Sequence, residues 1–443
     1  MELQEDGLGI IRVKDHIILT RGEDHMLCQI ENNKPRVKFF NTPIDLCNII
    51  DKPFWSIFRM ERVKHDNYYR LLYCDPSQVN VSVVESTEKG LDNRSIEDDN
   101  NAQGLSKEEI LDMKSNGQSS NEILSELIKN SKSFHRKTEF AQEKYVKKKS
   151  KKYSDFIQVL KPDIRLLAKV LLRGNVTAVP FMGLGVETLT QIRTSLSLQP
   201  DGKYIIYENN CHGLIIAFLL KSLGPEGKLL NVITPNYPFN KLKAVKAMQF
   251  SQEKQSQMMH IRSCVFLKYS KYHGNIDSDF NTDTDANEDN PKRKNNADDK
   301  AREKRTKDLE QQSEEVRKLT IELADGLVFA CREIVTSSHV ATMLQFLAPS
   351  RPFVVYCQWK EPLVKLFNEL KQRNDVTCLR IFENSSRIYQ VLPERTHPNT
   401  MMSSSSGYLL TGFTIECEEG SNAVKPTLPT PNEETSEANE STV

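Results

Sequence analysis

The chain has 443 residues, with 60 Lys and Arg against 60 Asp and Glu, and its nine cysteines are scattered with no C-x-x-C pair. The length predicts two or three domains, the cysteine pattern argues against zinc or a disulfide framework, and no apolar run reaches membrane-spanning length. Net neutrality hides segregation, because a basic block at 131–153 is offset by acid-rich stretches at 277–289 and beyond 419. Nothing at the N-terminus reads as a signal peptide, so an intracellular protein with reduced thiols and no membrane partner is expected.

From Ile10 to about Val84, short β-branched and aromatic runs (IIRVKDHIILT, HMLCQI, RVKFF, FWSIFRME, YYRLLYC and VNVSVV) are cut by polar turns. That spacing predicts a small antiparallel barrel or sandwich. Trp55 and Tyr68 read as core or rim aromatics rather than as base-stacking residues. Glu85 to Gln103 is too polar to hold a core and reads as a connector. Ser106 with Glu109 three residues later is a capping box opening one helix, and Gly117 stops it. SSNEILSELIKN follows as a second amphipathic segment.

The stretch SKSFHRKTEFAQEKYVKKKSKKY, Ser131 to Tyr153, is the most unusual in the chain. It carries Lys132, Arg136, Lys137, Lys144, Lys147, Lys148, Lys149, Lys151 and Lys152 against only Glu139 and Glu143, interleaved with Phe134, His135, Phe140, Tyr145 and Tyr153. Free of Pro and Gly, it reads as helix. Ala141, Tyr145, Tyr153, Phe156 and Leu160 recur near the helical period, so one stripe packs while the lysines point outward. Such a rod is a phosphate-binding surface that suits RNA or DNA equally. A solvated face or a nuclear import signal is the plainer reading of a lysine run. Pro162 then permits a new helix at IRLLAKVLL, ended by Gly174.

Beyond Gly174, helix GVETLTQIRTSLSL, strand KYIIYE, helix LIIAFLLKSLG, strand KLLNVIT, helix NKLKAVKAMQ and strand SCVFLKY succeed one another. After a charged interruption come strand GLVFA, helix HVATMLQFLA, strand PFVVYCQW, helix EPLVKLFNELKQ and two successive strands, TCLRIFE and GYLLTGFTIE. This alternation predicts a doubly wound, mostly parallel sheet ending in the manner of S-adenosylmethionine-dependent methyltransferases. The fold class is therefore multi-domain, β followed by α/β. A β-barrel-like domain is expected at 1–90, a polar and basic helical connector at 91–173, and a degenerate Rossmann-like methyltransferase domain at 174–418. A disordered insertion at about 270–318 and a disordered acidic tail at 419–443 complete the expectation.

The chemistry of that fold is depleted here. The turn after KYIIYE reads Glu208-Asn209-Asn210-Cys211-His212-Gly213, with one glycine where a cofactor needs close backbone approach. Thr234-Pro235-Asn236-Tyr237-Pro238 supplies no acid for ribose hydroxyls, and Arg332 stands near the end of GLVFA where an acid is expected. Cys211 beside His212 lacks an orienting acid and reads as a packed thiol. His397, before Pro398, reads as a turn residue rather than a base.

The segments DNRSIEDDN, SKSFHRKTEFAQEKYVKKKSKKY, ADGLVFACR, APSRPFVVYCQWKEPL, YQVLPERTHP and SGYLLTGFTIE together resemble the non-catalytic, tRNA-binding subunit of the eukaryotic tRNA adenine-58 N1-methyltransferase. The resemblance extends over most of the chain from Asp92 to Glu416, leaving out the insertion. It implies a non-enzymatic chain without cofactor, metal or catalytic residues of its own. Its implied partners are tRNA and a catalytic sister subunit that holds S-adenosylmethionine, in a nuclear two-plus-two heterotetramer that methylates N1 of a T-loop adenine. By motif match it implies RNA contacts at Asn93 and Arg94, at Lys144 through Tyr153, and at Arg332, Tyr389, Arg395 and His397. Lys132, Arg136 and Lys137 join them by charge. Ser150 stands where a lysine is usual. The alternatives are a self-sufficient RNA methyltransferase and a non-enzymatic translation scaffold.

Overall fold

The computed structural model describes residues 9–22, 24–32, 36–63, 66–75, 103–115, 120–153, 155–172, 184–233, 242–269, 296–331, 337–392, 395–399 and 405–416. The chain divides into two compact units. One comprises Met1–Phe181 with His212–Ala217 and Leu242–Gln252; the remainder forms the other.

The first unit opens with strands β1 (His16–Arg21), β2 (Asp24–Gln29), β3 (Arg36–Phe39), β4 (Thr42–Asp45), β5 (Ile57–Arg62) and β6 (Tyr69–Cys74). Helices α1 (Lys107–Ser115), α2 (Ser120–Lys129) and α3 (Glu139–Tyr153) follow, then β7 (Phe156–Leu160) and α4 (Ile164–Leu172). All seven strands join one sheet in the order β2-β1-β7-β5-β6-β4-β3. Alternate residues point inward: Ile17 and Leu19 of β1, Val37 and Phe39 of β3, Phe58 and Met60 of β5, and Ile157 and Val159 of β7 share one core, with Met26 and Cys28 of β2 packed against it. Both edge strands reach that core, so the sheet curls around it. Among the described residues β2 and β3 are not hydrogen-bonded to each other, so the curl stops short of a closed barrel.

Two expectations are corrected here. The pairing is not wholly antiparallel, because β4 runs parallel to β6. The helical stripe expected to continue through Phe156 and Leu160 also fails: α3 stops at Tyr153, and FIQVL runs as β7, antiparallel to both β1 and β5. A five-residue apolar run fits strand or helix equally by periodicity. The open edges of β1 and β5 decide it, because their backbone groups need partners. The capping box at α1 forms as expected, with the Ser106 N–H donating to Glu109 Oε2 at 2.8 Å and the Glu109 N–H to Ser106 Oγ at 3.2 Å. Asp163 caps α4 by accepting from the Leu166 N–H at 2.7 Å. VNVSVV lies outside the described residues.

In the second unit, β8 (Lys203–Glu208), β9 (Lys228–Ile233), β10 (Met258–Arg262), β11 (Gly326–Ala330), β12 (Pro352–Cys357), β13 (Val376–Ser385) and β16 (Ser405–Thr414) form a sheet ordered β10-β9-β8-β11-β12-β16-β13. All are parallel except β16, which runs antiparallel to both neighbours. The strand order reverses between β8 and β11, the topological switch point beside which ligands of such folds bind. Between β13 and β16 the chain makes a two-stranded ribbon of β14 (Tyr389–Leu392) and β15 (Arg395–Pro398). The helices are α5 (Val186–Ser195), α6 (Leu214–Ser222), α7 (Lys243–Ala247), α8 (Gln252–Ser256), α9 (Ser263–Lys268), α10 (Asn296–Ile321), α11 (Ser337–Leu344) and α12 (Lys360–Lys371).

SCVFLKY, expected as a strand, is instead helix α9, and the strand is the preceding MMHIR. Pairing with β9 selects that segment, with Met259 opposite Leu230 and Ile261 opposite Val232. The expectation of disorder through 318 is also corrected. α10 runs to Ile321 and buries Val316 and Leu319 in the core of the sheet, with Leu309 packed against it. Gln312 on the same side accepts the Arg262 N–H at 3.0 Å.

His260 lies against the Asn231 amide at 3.0 Å, and burial drops its imidazole to about 4. The unfolded chain takes up this proton near pH 6.5 while the folded chain refuses it. Stability is therefore expected to fall as pH drops from about 6.5 to about 4, by about 3 kcal/mol at most from this group. Urea midpoints of the wild type and His260→Gln at pH 7 and pH 5 measure it, the variant losing less.

Candidate nucleic-acid interface

The cationic stretch is built on a small helical packing within the first unit. Phe134 is 1 % exposed and packs with Leu124 and Ile128 of α2, with Tyr145 and Val146 of α3 against them. The Gln142 side-chain amide donates to the Phe134 carbonyl at 3.0 Å. This nails down the turn before α3 and leaves Lys132, His135 and Arg136 exposed on it. Truncating Phe134→Ala is expected to cost about 3–5 kcal/mol of local packing. Faster hydrogen exchange across residues 131–153, absent from Lys132→Ala, is the measurement.

α3 places Glu139 in its first turn and six lysines further along, EFAQEKYVKKKSKKY, the arrangement the helix dipole favours. Lys144 and Lys148 are exposed, and Lys149 is half-buried. Tyr145, also half-buried, donates its hydroxyl to Gln103 Oε1 at 3.0 Å. The ammonium groups of Lys137 and Lys149 stand 5.2 and 5.3 Å from its ring centroid. Lys137 further donates to Ser133 Oγ at 2.9 Å. For Lys147, Lys151 and Lys152 the backbone belongs to α3. Tyr153, expected at a contact surface, is instead 7 % exposed and packs with Ile123 and Leu127. Its ring anchors the end of the helix. Phe134 and Gln142 are the positioning residues that sequence reasoning missed. A lone aromatic in a charged run was their only signal.

Asn93, Arg94 and Arg332 lie outside the described residues. Tyr389, Arg395 and His397 fall together on the β14–β15 ribbon of the second unit, where Tyr389 pairs with Pro398, Gln390 with His397 and Leu392 with Arg395. Register puts Tyr389 on one face of the ribbon and His397 on the other. Both are exposed.

At the switch point of the second unit the strand ends are occupied by side chains of the chain itself. Glu208 is 4 % exposed, Cys211 1 %, Cys331 5 % and Tyr356 0 %. Burial, then the Glu208 carboxylate, pushes the Cys211 thiol well above its usual range. Burial likewise pushes the Tyr356 phenol up. The turn leaving β8 takes left-handed backbone angles at Asn210 (φ +67°), His212 (φ +52°) and Gly213 (φ +78°). These are conformations glycine adopts without strain, held here by two residues with side chains. Asp325 lies at the other end of β11, accepting from the Lys203 N–H at 2.9 Å and pairing with Arg351 at 3.0 Å. Thr234 to Pro238 lie outside the described residues. Among the described residues no disulfide forms and no cluster of metal-ligating side chains exists.

A parallel sheet of this strand order with its last strand reversed, in one chain with a curled β-unit bearing a cationic helix, defines a methyltransferase-type α/β protein with an appended β-unit. The chain belongs to the Gcd10p family, whose model matches residues 10–315. It is 32 % identical over 451 residues to the mouse tRNA (adenine(58)-N(1))-methyltransferase non-catalytic subunit TRM6, covering 90 % of this chain and 88 % of that one. The Dictyostelium discoideum protein of the same description is 26 % identical over 432 residues, covering 92 % and 80 %. Among solved structures, the chain is similar to the tRNA (m1A58) methyltransferase TrmI of Aquifex aeolicus at 10 % identity and TM-score 0.44, over 92 % of this chain and 100 % of that one. A SAM-dependent O-methyltransferase of Thermotoga maritima gives 11 % identity and TM-score 0.46, over 93 % and 96 %. The fold is read from the strand order, not from these two.

Proposed function

We propose that this chain is the tRNA-binding, non-catalytic subunit of a tRNA m1A58 methyltransferase, paired with a catalytic S-adenosylmethionine-dependent subunit in a nuclear two-plus-two heterotetramer. The observation that carries this reading is the 32 % identity, over nine-tenths of the chain, to a mouse protein described as such a non-catalytic subunit.

Two physical features support the division of labour. The turn after β8 does not suit S-adenosylmethionine in this chain, because the methionine end of the cofactor needs bare backbone and meets Asn210, His212 and the buried Cys211 instead. The exposed lysines of α3 suit the other task. A T-loop adenine is hidden by tertiary contacts, so the RNA has to be held by shape and phosphates before the base is extracted. The contacts expected at Asn93, Arg94, Arg332, Tyr389, Arg395 and His397 belong to this reading.

Co-expression with the catalytic subunit tests it. The two chains are expected to purify in equal amounts, to bind one S-adenosylmethionine per pair by calorimetry, and to methylate tRNA only together. Methylation, or tight cofactor binding, by the purified single chain overturns the proposal.

A further inference from the structure

We infer that the first unit carries a base-stacking site at Trp55 and Tyr73, a second RNA contact that takes an unpaired nucleobase next to the phosphates held by α3. The inference rests on the tRNA-binding reading above and adds to it a contact of different chemistry.

Trp55 is 43 % exposed and Tyr73 51 %. An exposed indole alone means little, but this one is held at a cost. Its backbone sits at φ +73°, a region bulky residues rarely occupy. Both its polar groups are fastened to β7: the Trp55 N–H donates to the Val159 carbonyl at 2.7 Å, and Gln158 Nε2 donates to the Trp55 carbonyl at 3.1 Å. The ring is therefore presented from a fixed backbone while its face stays open. Tyr73 rests edge-on against core Phe58, with centroids 5.9 Å apart, and Lys52 brings its ammonium to 5.4 Å from the Tyr73 centroid. Two rigid aromatic surfaces and a cation are the elements of single-strand recognition, in which any base can stack.

Position in the chain links this site to the cationic helix. α3 ends at Tyr153 and β7 follows at Phe156, so Gln158, which clamps Trp55, lies five residues beyond the helix. An extended chain covers at most about 18 Å over that distance. Nucleotides adjoining those held by α3 are thus within reach of Trp55.

The test uses the complex with its catalytic partner and unmodified tRNA, titrated by filter binding at several salt concentrations. Trp55→Gly is expected to weaken affinity by roughly 5- to 100-fold. The slope of log affinity against log salt should not change, because no counterion is involved. Trp55→Phe should keep most of the affinity. Glycine relaxes the left-handed backbone, so the thermal midpoint of Trp55→Gly should hold or rise, separating lost stacking from lost folding. A photoreactive benzophenone side chain at position 55 should cross-link to tRNA. Undiminished affinity in Trp55→Gly, alongside weakened binding when the α3 lysines are removed, overturns this inference and leaves the tRNA-binding reading standing. If neither change weakens binding, the tRNA-binding reading fails and takes this one with it. Loss of the catalytic subunit from purified Trp55→Gly, or cross-linking to that subunit alone, makes the surface a protein contact and also overturns the inference.

Discussion

Replacing Lys144, Lys147, Lys148, Lys149, Lys151 and Lys152 together by Ala in the assembled complex should flatten the salt dependence of tRNA affinity by about 4 to 5 in slope. Each phosphate neutralised by a lysine releases condensed counterion, and that release is what added salt opposes. The wild type should therefore lose roughly 100- to 1,000-fold more affinity than the variant between 50 and 200 mM salt. Folding is not at stake, because alanine is the best helix former and the packed side of α3, with Tyr145 and Tyr153, is untouched. The same six positions changed to Arg should restore the slope, since the charge returns. An unchanged slope in the Ala variant removes α3 from the interface.

Val316→Asp should destabilise the protein by about 3–5 kcal/mol, because it places an unpaired carboxylate in a dry core. Val316 is wholly buried and shares the core beneath the sheet with Leu319 and Phe266. Lys307→Asp, two to three turns earlier on the same helix and exposed, should change stability by no more than about 0.5 kcal/mol. Urea midpoints of the two variants give the comparison. Equal midpoints would detach the end of α10 from the core.

The contrast between those two positions shows what the sequence discloses and what it hides. KYIIYE and GLVFA form strands at the residues expected, because a parallel strand covered on both faces must be apolar without interruption. In α10 the apolar positions Leu309, Val316 and Leu319 are thinly spread among charges, so composition pointed to disorder while spacing carried the helix. β7 was hidden for another reason: what makes FIQVL a strand is the open edges of β1 and β5, far away in sequence. At the candidate interface the charge of α3 is legible, since lysines in such number have nowhere to go but solvent. Which aromatics face the ligand is not, because the same residue type serves equally as anchor or platform. Tyr153 is an anchor; Trp55, with the same prior, is open.

The placement of β7 also sets the order of events on the ribosome. β5 ends at Arg62 and its neighbour β7 begins only at Phe156, after three helices have been made. At about 5–20 residues per second, translation leaves β1 and β5 with bare edges for roughly 5–20 s. Such edges template mispairing between nascent chains. Transcripts interrupted ahead of Phe156 should therefore yield insoluble product, while those extending past α4 should not. Zipping in β7 ends the hazard and, in the same act, fixes the end of the cationic helix.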